Sequence, residues 1–429
     1  MEMNILRRRP LVPILGALLL LASCRGEELP PTSLGVASSY RVERLQQLRI
    51  VGGRERGNYR WHLVAANTTG EWQSFTDSVV WRGRDFVTAI PDTGSYRYEC
   101  HYTDGPNRIV IPFRVYVQEE YTTYSPYVSD VLEYSPAPGP EVNRLIRATA
   151  QHSADEVLFL CKEAVCGVGQ SSISLGGFGG HIVFAFDHLV RNVKGQPDFY
   201  IYSNVNQLSP SGEMPILTNG NPGIVEVAFD RNGNGCPDPD EWYELRGSEY
   251  DHDSTLADYE ITYFRPTAEK AAEQVEALDQ ARNFDNPKYI AWTDNRGRRG
   301  YIPHVQVQGL FFSYWPLGKF KDADELHFKG RCLPPNCTEV VQEKMENGKM
   351  KTHVMPKRWA FRAGYADNLP KSLDQGFDIG DAVDAKGNPV LLPGIQFVRV
   401  YTAVNVQVGK VGVLATEISG AVDLHMKSK

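Results

Sequence analysis

The chain has 429 residues, of which 42% are hydrophobic and 23% charged, and its formal net charge is −7. This composition supports a globular core and lacks the basic excess with which nucleic-acid-binding proteins neutralise phosphates, so nucleic acid is excluded as an expected partner. Beyond the N-terminus, no apolar run reaches the ~20 residues that a bilayer-spanning helix needs.

The N-terminus has the layout of a secretory signal. Three arginines, Arg7 to Arg9, precede the apolar stretch Leu11 to Leu21, and the small residues Ala22 and Ser23 follow it directly before Cys24. A basic start, a short apolar run and small residues are typical of a cleaved signal peptide. We therefore predict that residues 1–23 are removed.

The four residues Leu21 to Cys24, LASC, resemble the lipobox of bacterial lipoproteins. The resemblance implies that Cys24 is acylated and anchored in outer-membrane lipid, since each buried CH₂ of an acyl chain contributes about 0.8 kcal/mol. An ordinary secretory signal that contains a cysteine is the alternative. The acidic pair Glu27 and Glu28 resembles an export signal of Bacteroidetes lipoproteins, which implies a position facing the cell exterior. A plain solvated linker is the alternative for this pair.

Residues 24–47 are predicted to be a linker, and residues 48–119 a small β-sandwich. The second segment consists of short alternating runs separated by turn residues. The Trp61 strand and the sequence GSYRYECHY from Gly94 resemble PKD-like and immunoglobulin-like modules. The resemblance implies a spacer at the cell surface.

Residues 120–140 are rich in Tyr, Ser and Pro and are predicted to be a second linker, because proline disfavours helices and central strands. Residues 141–429 contain many short β-branched or aromatic runs between turn residues, which predicts a larger jelly-roll-type β-sandwich. Two helices are expected in this part, one near Ser153 to Ala164 and one, after Pro266, from Thr267 to Ala281. The predicted fold class is therefore all-β, with short helical insertions.

Six cysteines follow Cys24, an even number that suits disulfides in an exported chain. Six cysteines permit fifteen pairings, which the sequence does not distinguish, and the local pairs Cys161 with Cys166 and Cys332 with Cys337 are the predicted candidates. No CxxC spacing occurs, so a zinc site is not expected.

Three motifs in the larger segment resemble a family of Bacteroidetes cell-surface lipoproteins. They are SLGGFGG from Ser174, DRNGNGCPDPDEWYEL from Asp230 and GYADN from Gly364. In that family a PKD-like module precedes a jelly-roll domain, and members often accompany TonB-dependent transporters. The resemblance implies ligand capture rather than catalysis.

The strongest chemical signal is a loop with calcium-binding spacing. Potential oxygen ligands stand at positions 1, 3, 5, 7, 9 and 12, with Gly235 at position 6 for the tight turn. The sequence before and after the loop predicts strands, so we expect an EF-hand-like loop between strands that binds Ca²⁺. A solvated turn is the alternative. The predicted ligands are Asp230, Asn232, Asn234, Cys236 through its carbonyl group, Asp238 and Glu241.

Further candidate groups are weaker. Five aromatic residues could form a stacking platform for a ligand, with core packing as the alternative: Trp292, Tyr314, Trp315, Trp359 and Tyr365. A second cation site could form among aspartates at strand ends, with exposed turns as the alternative: Asp187, Asp198, Asp367, Asp378, Asp381 and Asp423. The sequence SLGGFGG lacks the Lys-Ser/Thr of a phosphate-binding loop, so it predicts a bend that lets backbones approach closely.

These features predict a surface-exposed outer-membrane lipoprotein with a calcium-stabilised β-sandwich that binds a nutrient as accessory to a transporter. Glycan, cobalamin and haem remain open as the ligand. Neither HExxH nor GxSxG occurs. The alternatives are a polysaccharide-active enzyme such as a glycoside hydrolase, whose paired carboxylates leave no sequence signature, and a structural adhesin.

Overall fold

The computed structural model describes residues 34–426, apart from residues 77–78, 169–170, 210–213, 267–283, 306–311 and 409–411. The described residues form several β-sheets and one α-helix, which confirms the predicted all-β sandwich class. None of the described helices is long and apolar enough to pass through a bilayer. The signal segment, Cys24 and the predicted helix Thr267 to Ala281 lie outside the described residues.

The N-terminal module contains eight strands in two sheets. In the first sheet the order is β1-β8-β7-β3-β4, with β5 also paired to β3, while β2 and β6 form the second. The strands are β1 (Ser39–Glu43), β2 (Gln47–Val51), β3 (Asn58–Asn67), β4 (Gln73–Ser74), β5 (Val79–Arg82), β6 (Asp85–Ala89), β7 (Gly94–Asp104) and β8 (Asn107–Gln118).

Trp61 is the centre of this module's core. Its side chain is completely buried and stacks on Phe86, with 4.9 Å between the ring centroids. Its indole nitrogen donates a hydrogen bond to the carbonyl oxygen of Gly83 at 2.9 Å. Because Trp61 lies in β3 and Phe86 in β6, this pair joins the two sheets through their inner faces.

The larger part of the chain contains the remaining strands and the helix. A six-stranded sheet has the order β21-β14-β13-β22-β11-β9, and a four-stranded sheet the order β17-β16-β15-β18. The elements are β9 (Asp130–Ser135), α1 (Ala154–Val165), β10 (Ile173–Ser174), β11 (His181–Arg191), β12 (Phe199–Tyr202), β13 (Gly223–Ala228), β14 (Trp242–Leu245), β15 (Leu256–Phe264), β16 (Asn286–Asp294), β17 (Arg299–His304), β18 (Glu325–Cys332), β19 (Cys337–Glu346), β20 (Lys349–Arg358), β21 (Ala382–Val383), β22 (Gly394–Thr402), β23 (Gln407–Val408), β24 (Gly412–Val413), β25 (Glu417–Ile418) and β26 (Gly420–Asp423).

Two strands lie where the sequence predicts linkers. β1 falls within residues 24–47 and pairs in parallel with β8. β9 falls within residues 120–140 and pairs with β11 at the edge of the six-stranded sheet. The linker predictions are therefore wrong at these strands. Both strands are short and lie at sheet edges, so the surrounding polar residues and prolines hide them in the sequence.

The six-stranded sheet is covered on both faces. In β13, Val225 and Val227 point into one apolar cluster, and Ile224 points into another. In β22, Val400 and Tyr401 divide between the same two clusters. Alternate side chains of one strand point to opposite faces, so the apolar residues of these central strands connect the two cores, while Glu226 and Arg399 pair with each other across the two strands.

Helix α1 covers part of the first core. Ser153 is its N-cap, and a reciprocal hydrogen-bonding pattern with Glu156 forms a capping box. Val157, Cys161 and Ala164 are buried on its inner face. The helix predicted near Ser153 to Ala164 is therefore confirmed.

The two predicted disulfides are wrong, because all six described cysteines are free thiols. Five residues at about 100° each separate Cys161 and Cys166, so their side chains lie on different sides of the helix. Cys332 ends β18 and Cys337 begins β19 in a different sheet. Burial raises the pKa of both Cys332 and Cys337 to about 11, which keeps these thiols protonated.

The glycine-rich segment at residues 174–180 forms the close backbone contact that its sequence predicts. Its Leu175 carbonyl accepts a hydrogen bond from the Ala137 amide at 3.0 Å. Gly176 has a φ of +72°, and a Cβ at this position would overlap the Ala137 carbonyl group. Only glycine fits this backbone crossing without displacing a neighbour.

We predict that Gly176→Ala destabilises the protein more than Gly195→Ala. Gly195 has nearly the same φ, +71°, but open space at its Cβ position. The control should therefore lose only about 1–2 kcal/mol for the left-handed backbone. Gly176→Ala should lose about 1–3 kcal/mol more, since the backbones must separate. Urea unfolding measures both, and equal losses would contradict a close backbone contact.

Candidate functional site

The predicted calcium loop connects two paired strands of the six-stranded sheet. Residues 230–241 lie between β13 and β14, which pair antiparallel. The flanking strands that the sequence predicts are therefore present. At its ends, Asp230 is 6% exposed and Glu241 is 2% exposed, so both carboxylates point inward.

Asp230 organises the first half of the loop. Its Oδ1 accepts hydrogen bonds from the backbone amides of Gly233 at 2.6 Å and Asn234 at 3.1 Å. Its Oδ2 accepts one from Gly235 at 2.8 Å. Gly233 and Gly235 both have positive φ angles, which turn their amides toward the carboxylate. The chain thus winds around one buried negative charge.

In the second half of the loop, Asp238 and Glu241 accept hydrogen bonds from residues of the first half. The side-chain nitrogens of Asn232 and Asn234 donate to Asp238 Oδ2 at 2.5 Å and 3.1 Å. Glu241 accepts backbone hydrogen bonds through both oxygens, from Arg231 at 2.7 Å and Asp238 at 3.0 Å. These contacts bring the side chains at positions 1, 3, 5, 9 and 12 together around one small loop.

The oxygen-rich composition of this loop fits a hard cation. Calcium takes six to eight oxygen ligands, and carboxylate and amide oxygens with one backbone carbonyl are a suitable set. Asp230 Oδ2 and both carboxylate oxygens of Glu241 each accept one backbone hydrogen bond and so keep a second lone pair. The backbone amide of Cys236 donates to Asn234 Oδ1 at 2.8 Å, so the chain at position 7 also folds toward the other ligand positions.

Among the described residues, no group of three or more His, Cys, Asp and Glu side chains is arranged to hold a metal ion. The calcium site therefore stays a prediction. Several aspartates of the proposed second cation site have other partners. Asp423 and Asp187 flank the buried His188 at 2.9 Å and 2.8 Å, and Asp198 contacts His425 at 2.7 Å.

The loop also contacts the N-terminal module. Gln47 donates its side-chain N–H to the Asp230 carbonyl oxygen at 3.2 Å. Arg49 donates to the Asn232 carbonyl oxygen, also at 3.2 Å. The two donors come from alternate residues of β2. The backbone amide of Asp230 donates to Gln396 Oε1 of β22, and the Gln396 side-chain N–H donates in turn to Gln47 Oε1. The loop is therefore held between the module and the six-stranded sheet.

Three of the five aromatic candidates belong to the second core. Tyr314, Trp315 and Tyr365 are each no more than 4% exposed, which leaves little ring face for a ligand. Trp292 packs at the margin of that core. Trp359 follows β20, and its backbone amide donates to the Asn336 carbonyl oxygen at 2.9 Å. The structure does not bring the five together as one platform, and their ligand-binding role stays a prediction.

A polar cavity of about 320 Å³ lies where segments of the larger part of the chain converge. Its size falls within the range of small-molecule sites. It opens beside the end of the β19–β20 hairpin and the start of β25. Its polar lining side chains are Glu141, Asn204, Asn219, Asn221, Tyr314, Arg358 and Glu417, and Pro140, Val305, Val413 and Ala415 form its apolar walls.

Arg358 is the dominant charge of this cavity. Its Nη1 donates to Asn221 Oδ1 at 2.9 Å. In the part of the chain that the structure describes, its guanidinium has no ion-pair partner and no second hydrogen bond. Burial lowers its pKa, while Glu417, which also borders the cavity, acts in the opposite direction. An arginine so placed retains donors for a ligand.

Asp367 is buried next to the cavity and accepts hydrogen bonds from the backbone amides of two residues that line it. It is 2% exposed, and its Oδ2 accepts the backbone amides of Glu417 at 2.9 Å and Asn221 at 3.4 Å. Its Oδ1 has no hydrogen-bond partner among the described residues. Burial raises its pKa well above the ordinary value, so the neutral acid is favoured.

No sequence pattern predicted this cavity. Its arginine, amides and glutamates are dispersed from residue 141 to residue 417 and form no motif. The only retrievable signals were the GYADN motif, which contains Asp367, and the inclusion of Tyr314 among the aromatic candidates. The lipidation residue Cys24 lies outside the described residues.

Comparisons with known proteins identify no family. No protein-family profile and no curated protein matches the chain. A solved structure titled SusE-like protein BT2857 aligns over 88% of this chain and 92% of its own, with 7% identity and a TM-score of 0.18. A TM-score this low carries no argument about shared fold or function. The fold and cavity define the class only as an all-β protein with a polar small-molecule-sized site.

We predict that Asp367→Asn preserves or increases stability at pH 7. Asparagine keeps an acceptor for the two amides and tolerates the φ of +50° at this position. Because the pKa of Asp367 is raised on folding, the wild-type free energy of unfolding falls as pH rises above the unfolded pKa of about 4. Asp367→Asn should remove this decline and gain about 1 kcal/mol or more at pH 7.

Urea unfolding between pH 4 and pH 8 measures this effect. The control is Asp322→Asn at an exposed position, which should stay within about 0.5 kcal/mol of wild type. A large loss of stability in Asp367→Asn at pH 7 would instead show that the ionised carboxylate is required.

Proposed function

We propose that this chain is a non-enzymatic binding lipoprotein of the bacterial outer membrane that captures a polar nutrient at the cell surface. The observation that carries the proposal is the cavity with an arginine whose donors are free for a ligand. The signal segment and the LASC sequence support the anchor through Cys24. The family-like motifs support delivery of the ligand to a TonB-dependent transporter.

The cavity favours a sugar over the two other predicted ligands. Cobalamin and haem present broad flat faces that need a large site, while this cavity is small and places amide, guanidinium and carboxylate groups beside its apolar walls. Sugar hydroxyl groups both donate and accept hydrogen bonds, so they match such a lining. We therefore propose a glycan as the nutrient.

Binding without turnover tests this function. The full mature chain, incubated with a panel of soluble polysaccharides and oligosaccharides, should show saturable heat on calorimetry with at least one of them. Chromatography of the same mixtures should show no new products after prolonged incubation. Product formation that a single Asp or Glu substitution abolishes would establish the alternative, a glycoside hydrolase.

The loop at residues 230–241 is proposed to bind Ca²⁺ and to make the structure more rigid. When bound, the ion would supply positive charge to Asp230, Asp238 and Glu241, which otherwise lie close together. Asp230 and Asn232 also accept hydrogen bonds from β2 through their carbonyl oxygens. A more rigid loop would therefore fix the N-terminal module against the six-stranded sheet.

We predict that calcium raises the melting temperature and that a chelator lowers it again. Saturation at 100 times Kd stabilises a folded state by about 2.7 kcal/mol, which corresponds to roughly 5–10 °C for a domain of this size. Differential scanning fluorimetry with CaCl₂ or EGTA measures the shift.

Two variants give this experiment its controls. Glu241→Gln removes a ligand charge and should abolish the calcium-dependent shift. Asp240→Asn changes the adjacent carboxylate, which is 81% exposed and outside the ligand positions, and should keep it. A melting temperature that changes with neither calcium nor chelator would rule out the site.

A further inference from the structure

We infer that the polar cavity recognises an acidic sugar, a uronic acid unit whose carboxylate binds Arg358 and whose hydroxyl groups bind Glu417 and the neighbouring amides. The inference rests on the proposed function, capture of a glycan, and specifies the chemical class of the ligand. It goes beyond that function because nothing in a general glycan-binding role requires a negative charge on the sugar.

The incomplete hydrogen bonding of the partly buried Arg358 guanidinium points to an anionic ligand. The guanidinium is partly buried, and one nitrogen is fixed by Asn221 at 2.9 Å. The remaining N–H groups have no acceptor within the described portion of the chain and border the cavity. A desolvated cation is unfavourable without an anion, and the planar N–H pair of arginine matches a carboxylate in two parallel hydrogen bonds.

The opposite wall requires a ligand that also donates hydrogen bonds. Glu417 accepts a hydrogen bond from Asn204, and burial raises its pKa. Glu141 is paired with Arg144 and also borders the cavity. A compact dianion such as phosphate would be repelled by these carboxylates. A uronic acid has one negative charge, and its several hydroxyl donors can face the glutamates.

The backbone around the cavity is held in a strained form. Glu141 and Asp367 are two of the few non-glycine residues with positive φ, at +73° and +50°. Glu141 borders the cavity, and Asp367 holds the amides of Asn221 and Glu417 behind its wall. Each such conformation is energetically unfavourable and persists where the surroundings fix it, often at binding sites. The cavity is therefore organised before a ligand enters.

Stacking is not the main contact in this cavity. Tyr314 is the one aromatic residue among those that line it, and its ring is 3% exposed. Its hydroxyl group accepts a hydrogen bond from the Val305 amide at 3.2 Å. Recognition consequently depends on charge and hydrogen bonds, which makes a charged sugar a better match than a neutral one.

Calorimetry with defined sugars tests the inference on the full mature chain. Galacturonic acid and glucuronic acid, with their short oligomers, are the acidic probes. Galactose and glucose are the neutral counterparts, and glutamate tests an amino acid with the same carboxylate. We expect an acidic sugar to bind at least about tenfold more tightly than its neutral counterpart and than glutamate.

Arginine variants identify the site. Arg358→Gln should weaken binding of the acidic sugar at least about tenfold, and Arg358→Lys, which keeps the charge but loses the planar donor pair, should give an intermediate loss. Arg362→Gln alters an exposed arginine four residues further on and should bind as wild type does. Melting temperatures confirm that each variant is folded, and Arg358→Lys remains informative if Arg358→Gln is not.

The outcomes separate this inference from the proposed function. Equal affinity for acidic and neutral sugars, tighter binding of glutamate, or full binding by a folded Arg358 variant would each overturn the inference. Binding of a neutral glycan from the panel would leave the proposed function in place. Failure of every glycan to bind would overturn both.

Discussion

The close crossing of two backbones at the glycine-rich bend determines the arrangement of the larger body. Gly176 and Gly177 allow residues 137–139 to pass at hydrogen-bonding distance, and the Gly139 amide then donates to the Tyr314 carbonyl oxygen. The next residues along the chain, Pro140 and Glu141, border the polar cavity. Because glycine has no Cβ, the two backbones can cross closely here. The crossing thereby positions Glu141 and Tyr314 on the walls of the same cavity.

The loop at residues 230–241 lies at the junction between the six-stranded sheet and the N-terminal module. It is attached to the six-stranded sheet by covalent connection to β13 and β14, and to the N-terminal module by hydrogen bonds from β2. Its carboxylates are turned inward and are held by backbone amides. The loop, which is the proposed calcium site, and the cavity, which is the proposed ligand site, share no residues.

The sequence predicts features that depend on local pattern. The all-β class follows from strand-length runs between turn residues, helix α1 from Ser153 and Glu156 at capping-box spacing, and the close approach at the glycine-rich bend from its composition. Features that depend on long-range contacts are not predictable in this way. β1 and β9 are strands because of partners far along the chain, and the free thiols of Cys161 and Cys166 reflect helix geometry rather than their short spacing.

Arg358, the proposed ligand-binding residue, lies at the base of the β19–β20 hairpin and not in its projecting part. It is the last residue of β20, whose partner β19 begins at Cys337. A backbone hydrogen bond from Trp359 to Asn336, and one from the Asn336 side chain to the Trp359 carbonyl oxygen, fix the hairpin at its base. Because side chains alternate along a strand, insertion or deletion of matched residue pairs at the far turn leaves Arg358 facing the same way. Evolution can therefore lengthen or shorten the projecting hairpin, and so alter its reach, while Arg358 keeps its place beside the cavity.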